Sequence, residues 1–195
     1  MLKSIVSGLR MFIVLTVIIG VLYPLFVTVA AQVLYPSQAN GSLVEKDGVV
    51  IGSTLIGQAI DDPLYFSSRP SAVSYMLGSS TSALGSSGAS NLSTVSVKLA
   101  DIANANAVAF REANGLAVDA VVPLEMIFAS GSGLDPHISP EAARLQIDRV
   151  ATTRGLDRQV VADLVEKFVE SPTFSILGQA RVNVLSLNLA LDELQ

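Results

Sequence analysis

The 195-residue chain has a mean hydropathy of +0.54, a net charge of −5 and no cysteine. The missing thiols exclude disulfides, thiolate metal sites, a cysteine nucleophile and a lipoprotein anchor. All 17 acidic residues and 10 of the 12 basic ones lie beyond residue 44, giving that part a net charge of −7, which disfavours nucleic acid and anionic membrane surfaces as partners.

The strongest physical signal is MFIVLTVIIGVLYPLFVTVAAQVLY, Met11 to Tyr35, which carries no Lys, Arg, Asp or Glu. A helix of about 20 apolar residues crosses a bilayer, and this run supplies that with room to tilt. Thr16 and Thr28 can bond back to the helix's own carbonyls, and a kink at Pro24 is tolerated in a membrane span. Lys3 and Arg10 precede the span, and the next base, Lys46, sits between two acids. The positive-inside rule therefore puts residues 1–10 in the cytoplasm, 11–35 in the cell (inner) membrane and 36–195 outside it. A cleaved signal peptide is the rival reading, with Val29-Ala30-Ala31 as its cleavage site. The apolar run exceeds the roughly 7–15 residues of a signal core, which favours a retained anchor.

After a polar linker, Ser37 to Gly41, SLVEKDGVVIGSTLIGQ reads as a hairpin turning at Asp47-Gly48, with its second strand from Val49 to about Ile56. Twelve serines lie between Ser67 and Ser96. YFSSRPSA, Tyr65 to Ala72, is too aromatic for a disordered tract and is expected to be an ordered irregular loop, with a floppy centre around Gly78 to Gly88. Asn91 and Ser93 offer caps for an amphipathic helix carrying Val95, Leu99, Ile102, Ala109, Phe110 and Ala113, stopped at Gly115. Val121 to Pro123 reads as a short strand or turn before a brief helix from Leu124 to about Ala129. Ser139-Pro140-Glu141 starts a helix expected to run to Arg154. Asp157 caps another, with Val160, Val161, Leu164, Val165 and Phe168 on one face. At the C-terminal end Val182 and Val184 alternate like a strand, while Leu185 to Leu194 suits a helix. The expected product is α+β: one transmembrane helix, then a single extracytoplasmic mixed domain with a small sheet and several helices.

SGSGLDPHISPEAARLQIDRVATTR, Ser130 to Arg154, holds the chain's one histidine, His137. Around Ser132 the first glycine of a nucleophile elbow is replaced by Ser130. Asp135 and His137 are nearly adjacent, an unusual source for two members of a triad. One histidine without a carboxylate cluster does not make a metal site. Gly131-Ser132-Gly133 and the helix start at Pro140 offer N–H groups to a phosphate, and Gln146 and Arg149 share a helix face. The phosphate-loop lysine is absent. Ser132, His137, Gln146 and Arg149 are thus the nucleotide or partner candidates, against an ordered turn in which His137 bonds locally.

ASGSGLDPHISPEAA with Gln146 and RVATTRGL, together with GSTLIGQ, YFSSRPSA, SNL and RVNVLSLNLALD, resembles the C subunit family of the bacterial Kdp potassium-transporting ATPase, KdpC, over nearly the whole chain. The serine-rich middle departs from it, reading Ser-Ser-Gly-Ala-Ser-Asn where the family often has Ser-Gly-Gly-Ser-Asn. The resemblance implies a non-pumping, single-span accessory subunit, with KdpA (the channel-like potassium selector), KdpB (the P-type ATPase) and the small KdpF as partners, and lipid around residues 11–35. It also implies the role of a catalytic chaperone raising KdpB's affinity for ATP. The inside-to-outside topology opposes that role, and no firmly bound cofactor is expected. The chain lacks the D-K-T-G, T-G-E-S and T-V-G-Y-G motifs of pump and pore, so no catalytic residue is assigned. Arg69, Asp135 and His137 are the partner-interface candidates, with Arg69 suited to a partner carboxylate. The alternative is an exported serine hydrolase or ligand-binding domain behind a signal peptide.

Overall fold

The computed structural model describes residues 2–73 and 86–194. The expected floppy stretch around Gly78 to Gly88 therefore lies mostly outside the described residues. The chain divides into two compact units, Met1–Ser53 and Thr54–Gln195. Both α-helix and small antiparallel sheets are present, so the chain is mixed α+β with a long apolar N-terminal helix.

In the first unit α1 (Leu2–Val17), a π-helical turn (Ile18–Leu22) and α2 (Tyr23–Leu34) form a continuous 33-residue helix, long and apolar enough to cross a membrane. At 1.5 Å per residue it spans about 50 Å. The π turn ends at Leu22, one residue short of the Tyr23-Pro24 pair. Proline lacks an N–H and its ring clashes with the carbonyl four residues back. Widening the turn bonds the Tyr23 N–H to the Ile18 carbonyl, five residues back, so the proline is absorbed without ending the helix. Thr28 Oγ1 donates to the Pro24 carbonyl at 2.8 Å, the back-bonding expected of a hydroxyl in an apolar helix. The helix stops at Tyr35 (φ −141°), because a residue before proline is pushed out of the α region. The expected linker is in part a helical turn, α3 (Pro36–Ala39), tied back by paired amides of Gln32 and Asn40 at 3.1 and 3.2 Å. β1 (Leu43–Lys46) and β2 (Val49–Ser53) form the expected hairpin, the second strand ending three residues early. Asp47 and Gly48 both have positive φ (54° and 75°), as a two-residue primed turn requires.

The second unit gathers its core around Phe66, which is completely buried with Val150, Val161, Val165, Val182, Leu187 and Leu191. Its sheet has the order β3 (His137–Ile138), β5 (Arg181–Asn183), β4 (Val169–Glu170), with both pairings antiparallel. α4 (Val97–Ala113) starts later than the caps at Asn91 and Ser93 predict. Ser93 instead closes a turn through its carbonyl to Ser96 N–H, and Val95 is left exposed. Val121 to Pro123 is extended without strand pairing, and the following helix is one 3-10 turn, Leu124–Met126.

The helix expected from Ser139 to Arg154 is broken into α5 (Pro140–Arg144) and α6 (Ile147–Arg154). The break falls at Gln146, whose N–H bonds to Ala143 in a tightened turn while its side chain is held elsewhere. Ser139 caps α5 by accepting the Ala142 N–H, and Gly155 (φ 67°) closes α6. Asp157 caps α7 (Arg158–Lys167), which buries Val161, Leu164 and Val165 but leaves Val160 outward. The ambiguous C-terminal stretch is strand and helix in succession: β5 runs directly into α8 (Val184–Asp192). Asn183 makes the junction, with Oδ1 accepting the Ser186 N–H and Nδ2 donating to the Thr54 carbonyl.

Candidate functional site: a junction of loops

Pro63 and Leu64 make a turn, closed by the Tyr65 N–H on the Asp62 carbonyl, and residues 66 to 69 follow it without a strand partner, so side chains must satisfy much of the backbone here. Asn188 of α8 accepts the Phe66 N–H at 2.8 Å and donates to the Phe66 carbonyl at 2.9 Å. Gln146 does the same for Ser67, at 2.7 and 3.3 Å. Arg149 donates to the carbonyls of Pro63 and Tyr65, and Arg154 to that of Leu64. Arg154 also pairs with Asp192 at 2.8 Å and lies 4.6 Å from the centre of the Tyr65 ring. A primary amide offers one acceptor and one donor, so Asn and Gln can replace a neighbouring strand.

This clamp delivers Arg69 to the Ser130–His137 loop. Its guanidinium meets Asp135 Oδ2 at 2.5 Å, while Asp135 Oδ1 accepts the His137 N–H at 3.0 Å. Ser71 Oγ donates to the Gly133 carbonyl at 2.7 Å. The Gly88 N–H and Ser87 Oγ both donate to the Ser132 carbonyl. On the other side, the Gly57 N–H reaches the Leu134 carbonyl at 2.9 Å. Stretches far apart in sequence thus interlock around Ser132 to His137. Gly133 has φ 70°, and a Cβ there would stand 2.6 Å from the Gly88 carbonyl oxygen, so both its conformation and its neighbours require glycine.

Among the described residues the arrangement has no nucleophile–base pair. Ser132 Oγ accepts the Leu134 N–H and lies 3.4 Å from Ser130 Oγ; no hydrogen bond joins it to His137 among the described residues. Of the nucleotide candidates, Gln146 is completely buried and its amide is occupied by Ser67 and Ala142, while Arg149 is occupied by the clamp and by Asn114. Arg69 lines two clefts. One, of about 560 Å³, is lined by Ser67, Ser68, Asn106, Phe110 and Met126; the other, of about 410 Å³, by Glu125, Asp135, His137, Ser139 and Arg181. Sequence reasoning missed Asn188, Arg154, Ser71 and Gly57. Asn188 carried a readable signal, as a polar residue inside the apolar run LSLNLALD.

His137 is held below its usual pKa of 6.5, first by burial and then by Arg181, against the opposing pull of Glu170 and Asp135. The folded chain therefore binds this proton less readily than the unfolded one. Its contribution to stability is full above pH 6.5 and is lost as pH falls below that value through the folded pKa. His137→Gln is expected to flatten the fall in urea midpoint between about pH 7.5 and 5.5; an unchanged slope would show that another group titrates.

A family model described as "K+-transporting ATPase, c chain" (KdpC) matches residues 5–193. The chain is 50% identical over 193 residues to the potassium-transporting ATPase KdpC subunit of Rhodospirillum rubrum, covering 99% of this chain and 97% of that one. It is 47% identical over 195 residues to the subunit of the same name from Methylococcus capsulatus, covering all of both chains. To that of Burkholderia ambifaria it is 47% identical over 184 residues, 94% of this chain and 93% of the relative.

Proposed function

Because the chain belongs to the KdpC family of potassium-transporting ATPase subunits, we propose that its acidic domain lies outside the cell membrane and acts there as a non-pumping assembly element, packed over the outer mouth of the channel-like KdpA. The chain is a subunit of the Kdp ATPase and not its catalytic one, so its partners are the other Kdp subunits. The apolar helix Leu2–Leu34 suits a membrane-anchored subunit. The reading is carried by the interlocked loops around Ser132 to His137, whose polar side chains hold one another's backbone instead of forming a reactive pair. Arg69, Asp135 and His137 line one cleft and are its partner-facing candidates. Arg69 already has Asp135 as its carboxylate, so it would present the pair to a partner and not a free cation. The exported-hydrolase alternative gives way to family membership.

A catalytic-chaperone role with ATP would need this domain in the cytoplasm. The bases Lys3 and Arg10 before the span, with no base after it until Lys46, argue for the opposite side. The native chain has no cysteine, so one introduced thiol reports without background. Val118 is 92% exposed. In cells with a permeabilised outer membrane, Val118→Cys is expected to react with a membrane-impermeant maleimide before lysis, and Ser4→Cys only after it. The reverse pattern would return the domain to the cytoplasm and revive the ATP role.

A further inference from the structure

Tyr23 stands at the midpoint of the apolar run Met11 to Tyr35, twelve residues from either end and so about 18 Å along the axis from each. The hydrocarbon core of a bilayer is about 30 Å thick, so a phenol at its centre stays far from the headgroup level where tyrosine is enriched. Its side chain is exposed on the helix, and no hydrogen bond to its hydroxyl occurs among the described residues. A second polar group is stranded beside it. The Tyr23 N–H, which a regular helix gives to the Ile19 carbonyl, goes to Ile18 instead. The next residue, Pro24, has no N–H to take its place. The Ile19 carbonyl therefore lacks a donor from the following turn at either α or π spacing. Four residues apart, the carbonyl and the phenol lie on one side of the helix. Gly20 follows the carbonyl, and a Cβ added there would touch only the Thr16 methyl, at 3.8 Å. A glycine that its own helix does not require leaves room for another backbone to come close.

We propose that the Tyr23 hydroxyl and the Ile19 carbonyl form a mid-membrane hydrogen-bonding node, completed by a membrane-spanning helix of KdpA that presents an uncharged polar side chain at the same depth. The proposal rests on the assembly reading above and names its contact within the membrane. Backbone groups freed by a proline in a span are re-satisfied by local π adjustment, by a nearby hydroxyl or by a neighbouring helix. Here the π turn serves Ile18, and the Thr28 hydroxyl serves the Pro24 carbonyl, which leaves the neighbouring helix. Lipid tails offer neither donor nor acceptor. One helix long and apolar enough to cross a membrane is found among the described residues, so the neighbour belongs to another chain. A domain packed on KdpA outside the membrane brings its anchor to that same subunit. Asn, Gln, Ser or Thr on the facing helix supplies both an acceptor for the hydroxyl and a donor for the carbonyl.

The test uses the full chain expressed with the other Kdp subunits. With p-benzoylphenylalanine in place of Tyr23, irradiated membranes are expected to give one covalent adduct, to KdpA, in a membrane segment that carries Asn, Gln, Ser or Thr at the site. Tyr23→Phe removes the hydroxyl alone and is expected to speed loss of the chain from the detergent-solubilised complex about threefold. Tyr35→Phe, the same change at the end of the span, is expected to leave that rate unchanged. Replacing the mapped polar residue of KdpA by an apolar one is expected to abolish the effect of Tyr23→Phe. An adduct with lipid alone, with a second copy of this chain or with a different subunit overturns the proposal, as does a co-purifying complex without any adduct. Equal rates for Tyr23→Phe and Tyr35→Phe overturn it too. If the unaltered chain does not co-purify with the other subunits, the assembly reading itself fails.

Discussion

Asn188→Leu is expected to destabilise the folded chain by about 2–4 kcal/mol, since each buried backbone group left unpaired costs about 1–3 kcal/mol. Leucine keeps the branched heavy-atom skeleton of asparagine and removes its polar atoms, so the loss of the hydrogen bonds dominates over the modest bulk its methyl groups add. Asn188 is 4% exposed and its two partners belong to Phe66, which is fully buried at the centre of the core. Water cannot replace the lost amide at a site that is already closed. Urea unfolding of the full chain in mild detergent, followed by circular dichroism, gives the free energy. Hydrogen exchange at the Phe66 amide gives the location. Asn104→Leu, at an exposed position on α4, is the control expected to stay within about 0.5 kcal/mol. A variant at Asn188 as stable as that control would mean that the Tyr65–Arg69 segment is held by packing alone.

The same clamp explains which parts of the fold were readable from the chain and which were not. The Asp47-Gly48 hairpin, the Asp157 cap and the Gly155 stop depend on residues within one turn of each other, and each formed where local chemistry placed it. The break at Gln146 depends on Ser67, 79 residues away, and no periodicity in RLQIDRV announces it. Gln146 and Arg149 looked like a ligand-binding pair because their spacing puts them on one helix face. That spacing is real: Arg149 donates to Gln146 Oε1 at 2.9 Å. Both are turned toward the Pro63–Ser67 segment, which local spacing cannot reveal. Arg69 was legible as a lone base in a neutral stretch. Its carboxylate, Asp135, lies 66 residues on, and only the meeting of the two loops shows that the pair is internal. Long-range pairing of this kind follows from the fold and not from the neighbourhood of either residue.

Gly57→Ala is expected to destabilise the chain by about 1–3 kcal/mol, the usual cost of forcing an extra methyl group into a packed site. The added Cβ would stand 2.5 Å from the Asp135 carbonyl oxygen, 2.9 Å from its carbon and 3.3 Å from the Pro136 Cα. All three are backbone atoms, so no rotamer change relieves the contact. Moving the Leu134–Pro136 backbone away stretches the 2.9 Å bond from the Gly57 N–H to the Leu134 carbonyl. It also displaces Asp135, which holds Arg69 through one oxygen and the His137 N–H through the other. The effect should therefore reach beyond stability. The second cleft is lined by Arg69, Asp135 and His137, so a shift of Asp135 changes the surface proposed to face the partner. Co-purification of the full-length variant with the other Kdp subunits, at a temperature where it remains folded, separates the two consequences. A folded chain recovered in reduced amount with the complex would tie the Gly57 junction to assembly. Undiminished recovery with a lowered urea midpoint would confine the junction to holding the fold, and the partner would then have to meet the domain at another surface.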